Sequence, residues 1–491
     1  MSVSQDTPGS TAPEPSHAYM RPCTPVFKYI NEVELDGTPC SPFDMCEDQL
    51  VEEIMCCGVP LLEIALLMAR GYQKGNPVAL MSKMLGVAAC DAPTASVMTT
   101  IGSRPIPLNL MVCLVGVSGM GKGITLDAPI TTANPMSGFR VTTPASGESL
   151  ISAFFDTVPT ADGRGNDTVR HSEPVWANWG EIDQLAAKSG NANSTLDATL
   201  RSLWTGENAG DESITRKKSG FGCIVEGGSY RFVMFVGAQP DHAGVLLEDA
   251  TGGTLQRLLW FPLYDDDALE LSREIQAHRR RLETALGLPK YRLRDAPSTL
   301  AVWGPRAGIS VSQTILDTLT QDRGRLLKRL ETVDPLDTHQ NNLRLRLAAI
   351  FAGWVAGMGN PAVVDEAAWY WAGCVVAYSK VVRKECVDAA EAKKSTEANK
   401  AGRTDAERFM AREDAILDTE RTQVEGLAEK VIFYVQRNGR VTKVDLSRRV
   451  VNKRTRKYLD KAIDTAVVSG DVSEVIDGRA KVYMYTGKHV S

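Results

Sequence analysis

The stretch from Leu108 to Gly123, LNLMVCLVGVSGMGKG, constrains this chain more tightly than any other. Leu108 to Val115 carries no charge and ends at a glycine, the pattern of a strand buried on both faces of a parallel sheet. Gly116 to Gly123 then fit the phosphate-binding pattern GxxxxGK[ST] at every position but the last. Glycines there let backbone N–H groups converge on phosphate oxygens, and the lysine reaches the outer phosphates from the start of the next helix. The expected contacts to ATP are Gly116, Ser118, Gly119, Gly121, Lys122, Gly123, Ile124 and Thr125. Gly123 stands where the pattern has the hydroxyl that ligates Mg²⁺, so the ion would be held through water, by Thr125, or by an acid at a neighbouring strand end.

Further strand-like runs are Val175–Trp179, Tyr230–Val236 and Leu258–Pro262, with a helical pattern from Leu185 to Trp204 between the first two. Strands alternating with helices predict an α/β fold with an open parallel sheet. The first of these runs leads into Gly180-Glu181-Ile182-Asp183. Hydrolysis needs one carboxylate to orient water and another to hold the metal, which assigns Glu181 to the first role and Asp183 to the second. Solvated acids at a strand end are the plainer alternative. Gln239 follows the Tyr230 run and is placed to sense the outermost phosphate, although alone it reads as a loop residue. Arg257, just before the Leu258 run, can offset phosphoryl charge in a neighbouring subunit or form a surface ion pair. Arg344 and Arg346 are further phosphate-contact candidates; at a spacing of two on a helix, only one can face the site. Arg216, Lys217 and Lys218 form a short basic cluster suited to a nucleic-acid backbone or to solvent.

Length and composition set the frame around these motifs. At 491 residues, roughly 150 per domain, the chain has room for about three units. Its 43% apolar and 23% charged residues are ordinary globular usage and exclude a mostly disordered or fibrous chain. Ten scattered cysteines without a CxxC pair indicate neither a zinc ribbon nor a disulfide framework, and the polar, Pro- and Ser-rich start has no secretory core, which points to the cytoplasm. Val59–Met68 and Ala367–Val382 are too short or too interrupted for the ~20 residues of a membrane span and read as buried helices. The boundaries that follow are a disordered arm over 1–25, a helical region over 26–105, the nucleotide core with a helical lid over 106–385, a charged helical linker over 386–424, and a separate module over 425–491.

That last module carries its own chemistry. Lys430 to Ser491 hold fourteen Lys and Arg against six Asp and Glu, a local charge of +8 inside a chain of net −5. Thr442 with Asp445 forms a capping-box pattern, Asn452 is placed to cap a helix over Lys453–Val468, and Asp477-Gly478 marks a hairpin. Three helices and a hairpin predict a winged helix. Lys453, Arg454, Arg456 and Lys457 would then fall in the first turns of the helix that meets DNA.

In their order, PLNLMVCLVGVSGMGKG, VWANWGEIDQLAA, RKKSG leading to FVMFVGAQPDHAG, and TGGTLQRLLWF resemble an AAA+ core of the minichromosome-maintenance type. Such cores occur in the replicative helicases and primase-helicases of phages, plasmids and mobile elements. The resemblance spans about 42–352. It implies a homo-oligomeric ring, usually a hexamer, with ATP hydrolysed between subunits and DNA as the track, sometimes beside a primase. It also assigns Lys122 to the phosphates, Glu181 to catalysis, Gln239 as first sensor, Arg257 as a finger in trans, and Arg344 or Arg346 as second sensor. Gly123 and Gly180 depart from the family pattern. A nucleotide- and DNA-binding initiator or scaffold with little hydrolysis is the alternative they allow.

Overall fold

The computed structural model describes residues 18–31, 41–72, 75–94, 105–134, 138–160, 166–182, 185, 195–210, 223–242, 253–286, 299–306, 309–330, 334–478 and 480–487. The chain divides into two compact units, 1–393 and 394–491.

The first unit opens with helices α1 (Glu47–Met55), α2 (Pro60–Tyr72) and α3 (Pro77–Asp91), ahead of strand β1 (Leu110–Val115) and the short helix α4 (Lys122–Leu126). Strand β2 (Arg140–Thr142), helix α5 (Gly147–Ser152), strand β3 (Val175–Trp179) and helix α6 (Leu196–Thr205) follow. Then come β4 (Phe232–Ala238), β5 (Leu258–Pro262), α7 (Ser272–Ala285), α8 (Gln313–Leu327) and α9 (Gln340–Ala356). The five strands form one parallel sheet in the order β5-β1-β4-β3-β2. This is a mixed α/β fold. Every residue of β1, β4 and β5 is buried, which is why those segments are almost continuously apolar in sequence.

Helix α3 is buried on every face from Pro77 to Cys90. Asn76 caps it, its side-chain oxygen accepting the Val78 N–H at 2.7 Å while its amide donates to the Tyr264 carbonyl. The helices around α3 share one hydrophobic core with the sheet, so the segment expected as an N-terminal helical region lies within the first unit.

Several sequence expectations change. The disordered arm does not extend to residue 25. Tyr19 is 7% exposed and lies 6.3 Å from Trp303, the Met358 N–H donates to the Met20 carbonyl, and the Cys23 N–H donates to Val355. Apolar contact and paired backbone groups hold this segment down. The strand read as Tyr230–Val236 runs over Phe232–Ala238 and takes in Gly237, while edge strand β2 carries no apolar run long enough to announce it. The helical block read over Asn342–Lys384 is two helices, α9 and α10 (Glu366–Asn438), separated by a turn with Gly357 and Gly359 at positive φ. The second is a single helix of 73 residues. The charged segment 386–424 is part of it, because Ala, Glu, Lys and Arg favour helix and no Pro interrupts them.

The second unit contains the end of α10, strand β6 (Val441–Thr442), helices α11 (Lys443–Arg449) and α12 (Leu459–Val468), and the hairpin β7 (Val472–Asp477) and β8 (Ala480–Tyr485). Its antiparallel sheet has the order β6-β8-β7. The capping box forms, with the Asp445 N–H donating to Thr442 Oγ1 at 3.3 Å and the Thr442 N–H to Asp445 Oδ2 at 3.1 Å. A core of Leu427, Val431, Val435, Leu446, Ile463 and Tyr483 closes the unit. The helix expected over Lys453–Val468 starts later. Asn452 Oδ1 accepts the N–H groups of Arg454 and Thr455 at 2.9 and 3.0 Å, a 3₁₀ turn covers Arg456–Tyr458, and α12 begins at Leu459. The four basic residues therefore lie in the turns before α12, where they do not oppose an α-helical dipole.

Candidate functional site

The carboxyl ends of three adjacent parallel strands build the site. Val115 of β1 stands in register with Ala238 of β4, and Trp179 of β3 with Val236. Gly116 and Gln239 follow those ends directly and Glu181 follows Gly180, so all three lie at the same edge of the sheet. The crevice beyond the carboxyl ends of an open α/β sheet is where such folds bind ligands.

The loop after β1 is held at both ends and open between. The Gly116 N–H donates to the Ala238 carbonyl at 2.9 Å, and the Thr125 N–H to Gly121 at 2.9 Å. Gly119 and Gly121 take φ of +92° and +94°, a conformation that disfavours any side chain. Val117, Ser118, Gly119 and Met120 are exposed at the tip. The first N–H groups of a helix have no acceptor within it, so those of Lys122, Gly123 and Ile124 stand ready for an oxyanion. Because α4 spans only Lys122–Leu126, these local N–H groups matter more than a helix macrodipole.

Lys122 crosses from the loop toward β3. Its ammonium donates to the Gly180 carbonyl and pairs with Glu181 Oε1 at 2.7 Å. It passes over Gly237, where an added Cβ would sit 2.2 Å from Lys122 Nζ and 2.6 Å from the Gly180 oxygen. Gly237 is a site residue the sequence reading missed; its signal was a glycine inside an otherwise apolar strand.

Lys83 was missed as well. It is 7% exposed in α3 and donates to the carbonyls of Leu126 and Ala128, fastening the far end of α4. Burial pushes its ammonium down to about 8. A lone lysine in NPVALMSKMLGVAA was the available clue.

Of the metal candidates, only Thr125 lies among the described residues. Thr125 is fully buried with its hydroxyl against Gly75, where an added Cβ would lie 3.3 Å away, so it does not face the open side of the loop. Gly123 has no hydroxyl, although a Cβ there would meet nothing within 4 Å. Asp183 lies outside the described residues, as do Arg216, Lys217 and Lys218. Among the described residues, no group of three or more His, Cys, Asp or Glu is placed to hold a metal.

The arginines lie elsewhere. Arg344 donates from Nε to the Trp369 carbonyl at 2.8 Å and stacks on that ring at 4.2 Å. Arg346 points to the opposite side, donating to the carbonyl of Asn109, which precedes β1. Asn109 and Gly116 are separated by the length of β1, roughly 20 Å at about 3.3 Å per residue. Neither arginine reaches the loop of its own chain, because α9 packs them toward α10 and the amino edge of the sheet. Arg257 also precedes its parallel strand, β5, and shares that edge.

No family model matches the chain, and no curated protein matches it. No helix among the described residues is long and apolar enough to cross a membrane.

Replacing Gly237 by Ala forces Lys122 off its path. Nucleotide affinity is expected to fall at least tenfold, read by titration with a fluorescent nucleotide, while thermal unfolding stays cooperative.

Proposed function

We propose that the chain is an ATP-driven DNA translocase or helicase with an AAA+-type core and a winged-helix module, acting in replication of a phage or other mobile element. The observation that carries this reading is the Lys122–Glu181 pair at 2.7 Å, set at the joined carboxyl ends of β1, β4 and β3. The strand order supports it, since the sensor strand β4 lies between the loop strand and the acid-bearing strand. Backbone N–H groups of Gly116 to Ile124 would hold the phosphates of ATP, with Lys122 on the outer ones and Gln239 beside them.

Without nucleotide, Lys122 and Glu181 neutralise each other. A phosphate chain competes for the ammonium, and its arrival frees the Glu181 carboxylate to orient and deprotonate water. Binding and activation are thereby coupled through one ion pair. In this reading Arg257, at the edge of the sheet away from its own loop, acts on a second subunit's nucleotide in a ring.

In the second unit, Lys443, Lys461, Arg440 and Lys481 are paired with Asp460, Glu420, Asp477 and Glu474. Lys453, Arg454, Arg456 and Lys457 form no ion pair among the described residues and remain exposed or nearly so for a DNA backbone. A second reading, nucleotide and DNA binding with little hydrolysis, draws on Gly123, which has no hydroxyl to offer a metal.

Four outcomes test these readings. Glu181→Gln is expected to lower DNA-stimulated phosphate release by about 10²–10⁴-fold while nucleotide still binds, as loss of a general base does. Lys122→Ala loses both binding and release; an ATPase unaffected by either change, or absent from the native chain, defeats the translocase reading. Gly123→Ser has open space for its side chain, so stability should hold and Mg²⁺-dependent release should rise several-fold. A chain with no ATPase that gains one through this serine supports the second reading. Finally, the combined change of Lys453, Arg454, Arg456 and Lys457 to Ala should flatten the slope of log affinity against log salt by roughly 3–4, measured by fluorescence anisotropy on duplex DNA.

A further inference from the structure

The second unit carries a cleft between two helix ends. One wall is the end of α10, with Glu429, Lys430, Phe433 and Tyr434; the other is the end of α11, with Arg449 and Val450 after it. The cleft holds about 470 Å³, within the roughly 300–1,000 Å³ range of ligand clefts. Tyr434 and Val450 pack against the core of the unit and are half-buried, so the floor is fixed. Phe433 is 62% exposed. A lone exposed phenylalanine is ordinary on a protein surface, but one that walls a cleft beside a tyrosine offers aromatic surface to whatever enters.

The rim is basic. Lys430 and Arg437 stand three residues before and four after Phe433, on the same face of α10, and Arg449 lies on the opposite wall. All three are exposed, and no ion pair among the described residues uses them. Asp445, four residues before Arg449, is taken by the Thr442 cap, its carboxylate accepting the Thr442 N–H at 3.1 Å and the Thr442 hydroxyl at 2.6 Å. Glu429 is the one acid in the lining. Three residues beyond Val450 begin the turns that hold Lys453, Arg454, Arg456 and Lys457.

Aromatic surface set between cationic side chains is the composition of a surface for single-stranded nucleic acid, where bases stack on the rings and the cations follow the phosphates. A paired base lies inside its duplex and cannot reach such a ring. An acidic peptide would match the rim, but Glu429 inside the cleft opposes it. The same carboxylate can accept from the amino or imino N–H groups on the edge of an unpaired base.

We propose that this cleft seats an unpaired base of single-stranded DNA, stacked on Phe433 with Tyr434 beside it, its edge toward Glu429 and its flanking phosphates on Lys430, Arg437 and Arg449. The inference rests on the DNA-binding function proposed above and deepens it. It adds a contact that duplex binding through the Lys453 to Lys457 turns does not need.

Full-length chain is titrated by fluorescence anisotropy with three probes: oligothymidylate, an abasic strand of the same length, and duplex DNA. Phe433→Ala removes an exposed ring, so the fold should hold. Loss of one stacked base should lower the affinity for oligothymidylate about tenfold, with the abasic strand and the duplex unchanged. Phe433→Trp should restore that affinity and add a strand-quenched component of fluorescence that the native chain lacks. The native chain, irradiated with a strand carrying 5-iodouracil, should give an adduct on Phe433 or Tyr434 by mass spectrometry.

Adducts mapped only elsewhere, or a Phe433→Ala loss equal for all three probes, overturn the stack. So does an affinity unchanged for every probe, an outcome that leaves the cleft to a protein partner while the DNA function proposed above stands. A native chain that binds none of the probes overturns both.

Discussion

The register between β1 and β4 is the constraint on which the rest of this structure depends. It is pinned at both ends. At the amino edge the buried side chain of Asn109 accepts the Phe232 N–H at 2.9 Å and donates to the Leu203 carbonyl at 2.7 Å; at the carboxyl edge the Gly116 N–H donates to Ala238. A slip of one residue would turn the buried faces of both strands over and move Gly116 away from Gln239. Because β3 pairs with the other side of β4, the same register sets where Glu181 meets Lys122.

The two edges of this sheet have opposite chemistry. The carboxyl edge offers backbone N–H groups and an ion pair, Lys122 with Glu181, whose charges balance. At the amino edge, Arg257 and Arg346 share the Trp204 indole and pair with no carboxylate among the described residues. A parallel sheet separates the two by the length of a strand. That separation keeps Arg257 away from the loop of its own chain.

Much of the first edge was legible in the sequence because its elements are local. A buried strand reads as an apolar run, a glycine-rich loop as its own spacing, and a strand-end acid by its place after aromatic residues. The capping box at Thr442 and Asp445 and the cap at Asn452 were legible for the same reason, since caps act over two or three residues. What escaped was set by packing between distant segments. Gly237 matters only because Lys122 passes over it, and Lys83 only because α3 lies beneath α4. Arg346 looked like a partner for the loop until α9 turned it toward Asn109, and Thr125 looked like a metal ligand until the close approach of Gly75 enclosed it.

By itself, the sequence determined the α/β class, the glycine-rich turn after the first strand of the sheet, the basic C-terminal segment and the residues that break or cap helices. These follow from side-chain periodicity, backbone conformational preference and local charge. The tertiary structure alone decided strand order, which strand ends meet, and which of two arginines two residues apart faces the sheet. Those outcomes depend on burying a shared apolar surface between segments far apart in the chain, and no local pattern encodes the partner that completes such a surface.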